Sequence, residues 1–270
     1  MKTLVLLLAY GLVSGCSTHP ITGRDQILAL PALQTVHADA GFVLADGMRR
    51  MAASPPCEAD CKRAEARAEL AGRVESIGAE LQSAARSLSP ELIERIGGFK
   101  IELSESLGTG SGSSAGGRVV LGSMLSDLEP TDVVIAFLIA REMAHVIARH
   151  DEENSGASIL VSALGFLLPG VGLVGLAGRF VVTSLGAGAL KRSWADQQRS
   201  EADAIGIMLL ERTGTTAAVA AIELVDGINR SRLPDDDWGL RYLESVQRVA
   251  QTAAETPRPG GAHLAVQLLK

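Results

Sequence analysis

From Ser155 to Gly178 the chain carries no charged residue, and after Arg179 a second uncharged stretch runs to Leu190. Hydropathy alone marks such a run as a transmembrane helix. Three features argue against a simple span. Pro169-Gly170 splits the run into short halves, glycine is frequent in it, and its flanks are not strongly basic. The expectation is an apolar helical hairpin over 155–190, buried or dipping into a membrane surface.

The N-terminus sets the compartment. Lys2 precedes the apolar stretch Leu4 to Leu8, the layout of a secretory signal peptide. The stretch is too short to cross a bilayer, which needs roughly 20 apolar residues. It ends in Val13-Ser14-Gly15-Cys16, which resembles the lipobox of bacterial lipoproteins, where the cysteine is lipidated and becomes the new N-terminus. Ser17 after that cysteine resembles an outer-membrane sorting signal. Residues 1–15 are therefore expected to be removed, with 16–30 as a lipidated N-terminal segment on the periplasmic face of the outer membrane. What remains is large enough to bury a real core. The net charge of −6 argues against a nucleic-acid partner. Aromatics make up 3 % of the chain while Ala and Gly abound, which suggests a mostly helical fold. An exported compartment permits disulfides. Cys57 and Cys61, four residues apart at a helix start, have Cα atoms about 6 Å apart, within reach of a local bridge. Metal binding by this pair is not favoured, because no histidine or third thiol lies near it.

Helical spacing predicts helices over Leu33–Met51, Lys62–Leu88 and Pro90–Ile96. Phe99–Leu103 alternates like a strand, and Arg118–Leu121 is a second candidate. Gly108–Gly117 is almost all Gly and Ser and reads as a flexible loop; it lacks the Gly-Lys-Ser/Thr ending of a phosphate loop. Pro130-Thr131-Asp132 opens a long helix expected to run to Glu152. Helices over Trp194–Arg212, Thr216–Ile228 and Trp238–Ala254 follow, and 255–270 is a tail with a Pro/Gly-rich start.

The long helix contains Arg141-Glu142-Met143-Ala144-His145, one residue away from H-E-x-x-H. That motif works because two histidines at i,i+4 share a helix face and grip one zinc, while the glutamate serves as general base on the bound water. An E-x-x-H alone is a weak signal, and Glu142 could equally be a salt-bridged helix residue. Two further segments strengthen it. One is Glu201-Ala202-Asp203-Ala204-Ile205-Gly206, more than fifty residues on. The other is His19-Pro20-Ile21-Thr22-Gly23-Arg24-Asp25-Gln26. Together, in this order, they resemble the CAAX-prenyl-protease-type zinc metallopeptidases (peptidase family M forty-eight), in particular the periplasmic lipoprotein branch. The resemblance covers roughly residues 16–230.

It implies an α+β, mostly helical, zincin-like metallopeptidase domain with a small β-sheet, over 31–254. It also implies where the site lies. The general base falls on Glu142 and the second zinc histidine on His145. The first zinc histidine falls on Arg141, and the third ligand, a glutamate in the family, falls on Arg199. Asp203, which in the family orients a ligand histidine, and Glu201 are kept. The family's edge strand beside the cleft has its place taken by Gly110–Gly117.

Catalytic zinc usually takes three protein ligands, and an arginine offers no lone pair and repels a dication. No cofactor is expected; zinc would be the metal if the family activity were retained. Arg141 and Arg199 would converge where the metal sat, and buried guanidiniums need partners. An arginine–carboxylate network with Glu142, Glu201 and Asp203 is the expected replacement for the metal as a staple between two helices. His145 is expected to pack or to remain a weak ligand. His150, five residues on, should point about 140° away from it on an unbroken helix. His19, His37 and His263 show no spacing that suggests a site. Three functions compete: an inactive peptidase relative that serves envelope proteins or peptides as chaperone, adaptor or scaffold; an active zinc metalloendopeptidase in envelope quality control; and a structural lipoprotein that docks on a membrane. The first is the expectation.

Overall fold

The computed structural model describes residues 16–28, 31–52, 61–154, 195–230 and 233–255. The leader, Cys57 of the expected disulfide, the 155–190 segment, His263 and the tail from 256 on lie outside them. Two short strands, β1 (Cys16–Thr18) and β2 (Asp25–Ile27), pair antiparallel. Helices α1 (Pro31–Ala52), α2 (Cys61–Leu88) and α3 (Pro90–Ile96) follow. Gly97 ends α3 in the left-handed conformation, at φ 73°, the usual helix stop. A three-stranded sheet comes next, from β3 (Lys100–Ser104), β4 (Ser111–Ser113) and β5 (Arg118–Gly122). Its order is β3-β5-β4, with β3 parallel and β4 antiparallel to β5. Helix α4 (Asp132–Ile147), a short helix at 150–154, α5 (Ala195–Arg212), α6 (Ala217–Arg230) and α7 (Asp237–Glu255) complete the fold. The architecture is α+β and mostly helical, as the sequence leads one to expect. No single described helix is long and apolar enough to cross a membrane.

Helix α4 is the centre of the core. Thr131 caps it by accepting from the Val134 N–H, and Asp132 opens its first turn, where a carboxylate favours the helix dipole. Ile135, Phe137, Ile139, Ala140, Met143 and Ala144 are fully buried. A helix apolar on every side must be enclosed, and the sheet, α2 and α6 pack around this one. Arg141 and Glu142 are drawn inside with it, at 8 % and 6 % exposure. Helix α5 approaches closely at Gly206, where an added Cβ would sit 3.4 Å from the Arg141 backbone. That contact gives the glycine of the E-A-D-x-x-G segment a physical reason.

Two sequence expectations need correcting. The Gly108–Gly117 stretch is not all loop, because Ser111–Ser113 forms edge strand β4 on β5. The long helix does not run unbroken to Glu152. It ends at Ile147, and Arg149 takes a left-handed φ of 60° before a short helix resumes at 150–154.

Candidate functional site

Strand β4 runs beside α4 and aims alternate side chains at it. Successive strand residues point to opposite faces, so Ser111 and Ser113 share one. Ser111 Oγ donates to Glu142 Oε1 at 2.7 Å, and Ser113 Oγ donates to Oε2 at 3.0 Å. Glu142, which the resemblance puts at the general-base position, is thus held by two hydroxyls from the edge strand. The signal was present in the Ser-Gly-Ser alternation, a period of two masked by its glycines. Substituting Ser111 and Ser113 together with Ala should lower stability by about 2 kcal/mol, since a partly buried carboxylate loses both donors; thermal melts of the double variant measure this.

Arg141, at the first ligand position, donates from Nε to Asp203 Oδ1 at 2.8 Å. The other oxygen of Asp203 accepts from Arg248 Nε at 2.7 Å, and Arg248 also donates to Ser245 Oγ at 3.1 Å. This triad joins α4, α5 and α7. The network differs from the expected one in its membership. Neither Glu142 nor Glu201 forms a hydrogen bond or ion pair with Arg141, whose partner is Asp203, and Arg199 lies outside the network. Arg199 turns toward Asp196 one turn earlier, with its Nε 3.9 Å from Glu244. Arg248 was not legible as a site residue, because it sits on an ordinary amphipathic helix 45 residues from Asp203.

The break at Arg149 reverses the expectation for His150. Instead of pointing away, its Nδ1 lies 2.8 Å from His145 Nδ1, with the rings edge-on at 4.9 Å. His150 Nε2 lies 3.0 Å from Glu201 Oε2. Burial pushes Glu201 up, but hydrogen bonds from His150, Thr22 and Arg24 outweigh it and hold the carboxyl down at about 2. Burial is also the main cause keeping both histidines below the usual histidine range. For His145 the neighbouring His150, Arg141 and Arg199 add to it; for His150, Glu201 partly opposes it. An ionised Glu201 only accepts, so His150 Nε2 donates to it. A neutral His150 then accepts at Nδ1 from His145 Nδ1–H, and His145 keeps its lone pair on Nε2.

The N-terminal segment closes this cluster. Thr22 Oγ1 donates to Glu201, and Arg24 Nε does so at 2.6 Å. The two terminal nitrogens of Arg24 fork onto Glu153 at 2.9 and 2.8 Å, a bidentate pairing. His19 Nε2 donates to the Ile147 carbonyl at 3.1 Å, and Gln26 donates to that of Ala148. These bonds satisfy carbonyls that the end of α4 leaves open. His19, which showed no site spacing, is therefore a buried cap. The side chain of His37 lies outside the described residues.

Ser111, Arg141, Glu142, His145, Arg199 and Trp238 line one side of a cleft of about 320 Å³. Among the described residues no three His, Cys, Asp or Glu side chains come together as a metal set. The three positions that the resemblance assigns to zinc ligands hold one imidazole and two guanidiniums, and Arg141 is already ion-paired to Asp203. These residues do not fit a zinc ion.

The sequence pattern of peptidase family M48 matches residues 109–257. The beta-barrel assembly-enhancing protease of Escherichia coli (strain K12) is 34 % identical over 110 residues, covering 37 % of this chain and 22 % of the relative. The protein of the same name from Shigella flexneri matches to the same extent. The mitochondrial metalloendopeptidase OMA1 of Saccharomyces cerevisiae is 34 % identical over 98 residues, 36 % of this chain and 27 % of the relative. The matches thus span about a quarter of these relatives' length. No solved structure matches the chain. With the family's pattern spanning more than half of its length, including the α4 and α5 segments, the chain belongs to peptidase family M48, a family of metallopeptidases.

Proposed function

We propose that this chain is a lipid-anchored cell-envelope member of the family that has given up proteolysis and binds envelope proteins or peptides as a chaperone, adaptor or scaffold. One observation carries the reading. The first zinc-ligand position holds a buried arginine, ion-paired to the aspartate that in the family orients a ligand. A guanidinium there offers no lone pair and places positive charge where the metal would sit. The second substituted position, Arg199, faces the same cleft. Glu142 is held by the β4 serines, which occupy both of its carboxylate oxygens.

The binding half of the reading rests on β4. It is an edge strand, paired only with β5 among the described strands, and its Ser111 lines the cleft. An extended client segment adds to such an edge through main-chain hydrogen bonds. The envelope setting is supported by the Cys16 lipobox and by the likeness to a protein named for beta-barrel assembly.

An active endopeptidase is the competing reading, favoured by the free lone pair on His145 and by Glu142. Zinc content decides between them. Elemental analysis of the chain from Ser17 onward should find near-zero zinc, and the double variant Arg141→His, Arg199→Glu should bind about one equivalent. One equivalent in the unsubstituted protein would overturn the proposal. A protease assay with Glu142→Gln as control would then identify the activity.

A further inference from the structure

Helix α1 is amphipathic the wrong way round. Three of its polar residues point into the protein. Thr35 donates to Glu152, Asp39 Oδ1 accepts from the Gly116 N–H at 2.7 Å, and Asp46 accepts from Ser106 Oγ at 3.1 Å. Asp46 is 4 % exposed. These residues recur at i, i+4 and i+11, along one face of the helix. The outward side, an arc of about 140°, carries Val36, Val43, Leu44, Met48 and Met51, each 58–82 % exposed. At 1.5 Å per residue this apolar stripe is about 22 Å long. In water such a face is a cost, and so it calls for an apolar surface.

The position of Cys16 says which surface. Cys16 is the ladder partner of Ile27, so their Cα atoms are about 5 Å apart. Ile27 is four residues from Pro31, the first residue of α1, a reach of at most about 14 Å. A lipid on Cys16 therefore enters the bilayer within about 20 Å of the start of α1. We propose that the outward apolar face of α1 lies in the surface of the bilayer to which Cys16 tethers the chain. This rests on the lipoprotein reading of Cys16. A helix lying in the interface plane buries such a face among headgroups and upper acyl chains. A second copy of the chain is a poorer occupant, because one helix face about 22 Å long falls short of the ~800 Å² per partner of a standard interface.

The test uses the mature chain, residues 16–270, with Cys16→Ala so that no lipid contributes. Flotation with phosphatidylethanolamine/phosphatidylglycerol vesicles should recover this protein with the lipid. The double variant Val43→Asp, Met48→Asp should bind at least about tenfold more weakly, with its melting temperature in lipid-free buffer unchanged. Equal flotation of both proteins, or flotation of neither, overturns the proposal. So does a lowered melting temperature of the variant without lipid, which would mean that the chain covers this face itself. A dimer in light scattering that the variant dissociates assigns the face to a second copy and overturns it too. Labelling of the unmodified chain with palmitate reads the state of Cys16 separately, so a failed anchor and a failed helix face are told apart.

Discussion

Replacing Asp203 with alanine should destabilise the protein by about 3–5 kcal/mol, the range for removing one partner from a buried ion pair. For a chain of this size the melting temperature should fall by roughly 10 °C. Asp203 is 3 % exposed and serves two guanidiniums, one on each carboxylate oxygen. Its loss leaves Arg141 buried and unpaired in the core helix. Arg141→Ala should cost less, about 2–3 kcal/mol, because Arg248 still neutralises the aspartate. Arg199→Ala should change stability by no more than about 0.5 kcal/mol, since its partners sit at the surface. Thermal or urea unfolding of the three variants measures the ranking. In an Arg141→Ala, Asp203→Ala cycle, a coupling energy near zero would show that the pair is not the staple. A large effect of Arg199→Ala would restore the wider network that the sequence suggests.

The contrast between these two arginines shows how far the sequence carries. The bounds of α2, α3, α5 and β5 follow from periodicity and breakers, because those elements obey local rules. The pairing of the α4 and α5 segments is what the family resemblance implies, and Arg141 and Asp203 are the residues that carry it. What was not legible depends on tertiary contacts. Arg149 adopts a left-handed φ although it is neither Gly nor Asn, so nothing local announces the turn that brings His150 back to His145. The Ser-Gly-Ser strand has weak strand propensity and exists because β5 offers it an edge. Arg248 has no local mark at all. The His19–Gln26 segment resembles the family, but only the fold explains why. It is the lid on the end of α4: His19 and Gln26 bond its last carbonyls, while Thr22 and Arg24 hold Glu201 and Glu153.

Glu201 is where that lid meets His150, and its replacement by glutamine gives the second large effect. The carboxyl titrates at about 2 instead of near 4.5. At 1.36 kcal/mol per unit, this is worth about 3 kcal/mol at neutral pH. The folded value is the lower one, so the stabilisation is complete above about pH 4.5 and is lost as pH falls toward 2. His145 and His150 act earlier. Their folded values lie below the free value of 6.5. Below that pH the unfolded chain takes up protons that the folded chain refuses, so stability also declines as pH falls from about 6.5. The unsubstituted protein should therefore lose stability in two acid limbs, one starting near 6.5 and one between about 4.5 and 2. A neutral amide at position 201 keeps an acceptor for His150 Nε2–H but leaves Arg24 without one of its two acids. Glu201→Gln should be about 3 kcal/mol less stable at pH 7, and the difference should shrink toward zero as pH approaches 2. Urea unfolding at pH 7, 5 and 3 reads this directly. A gap that stays constant with pH would mean that Glu201 contributes by shape and hydrogen bonding alone, and the charged junction between the N-terminal segment and α5 would have to be abandoned.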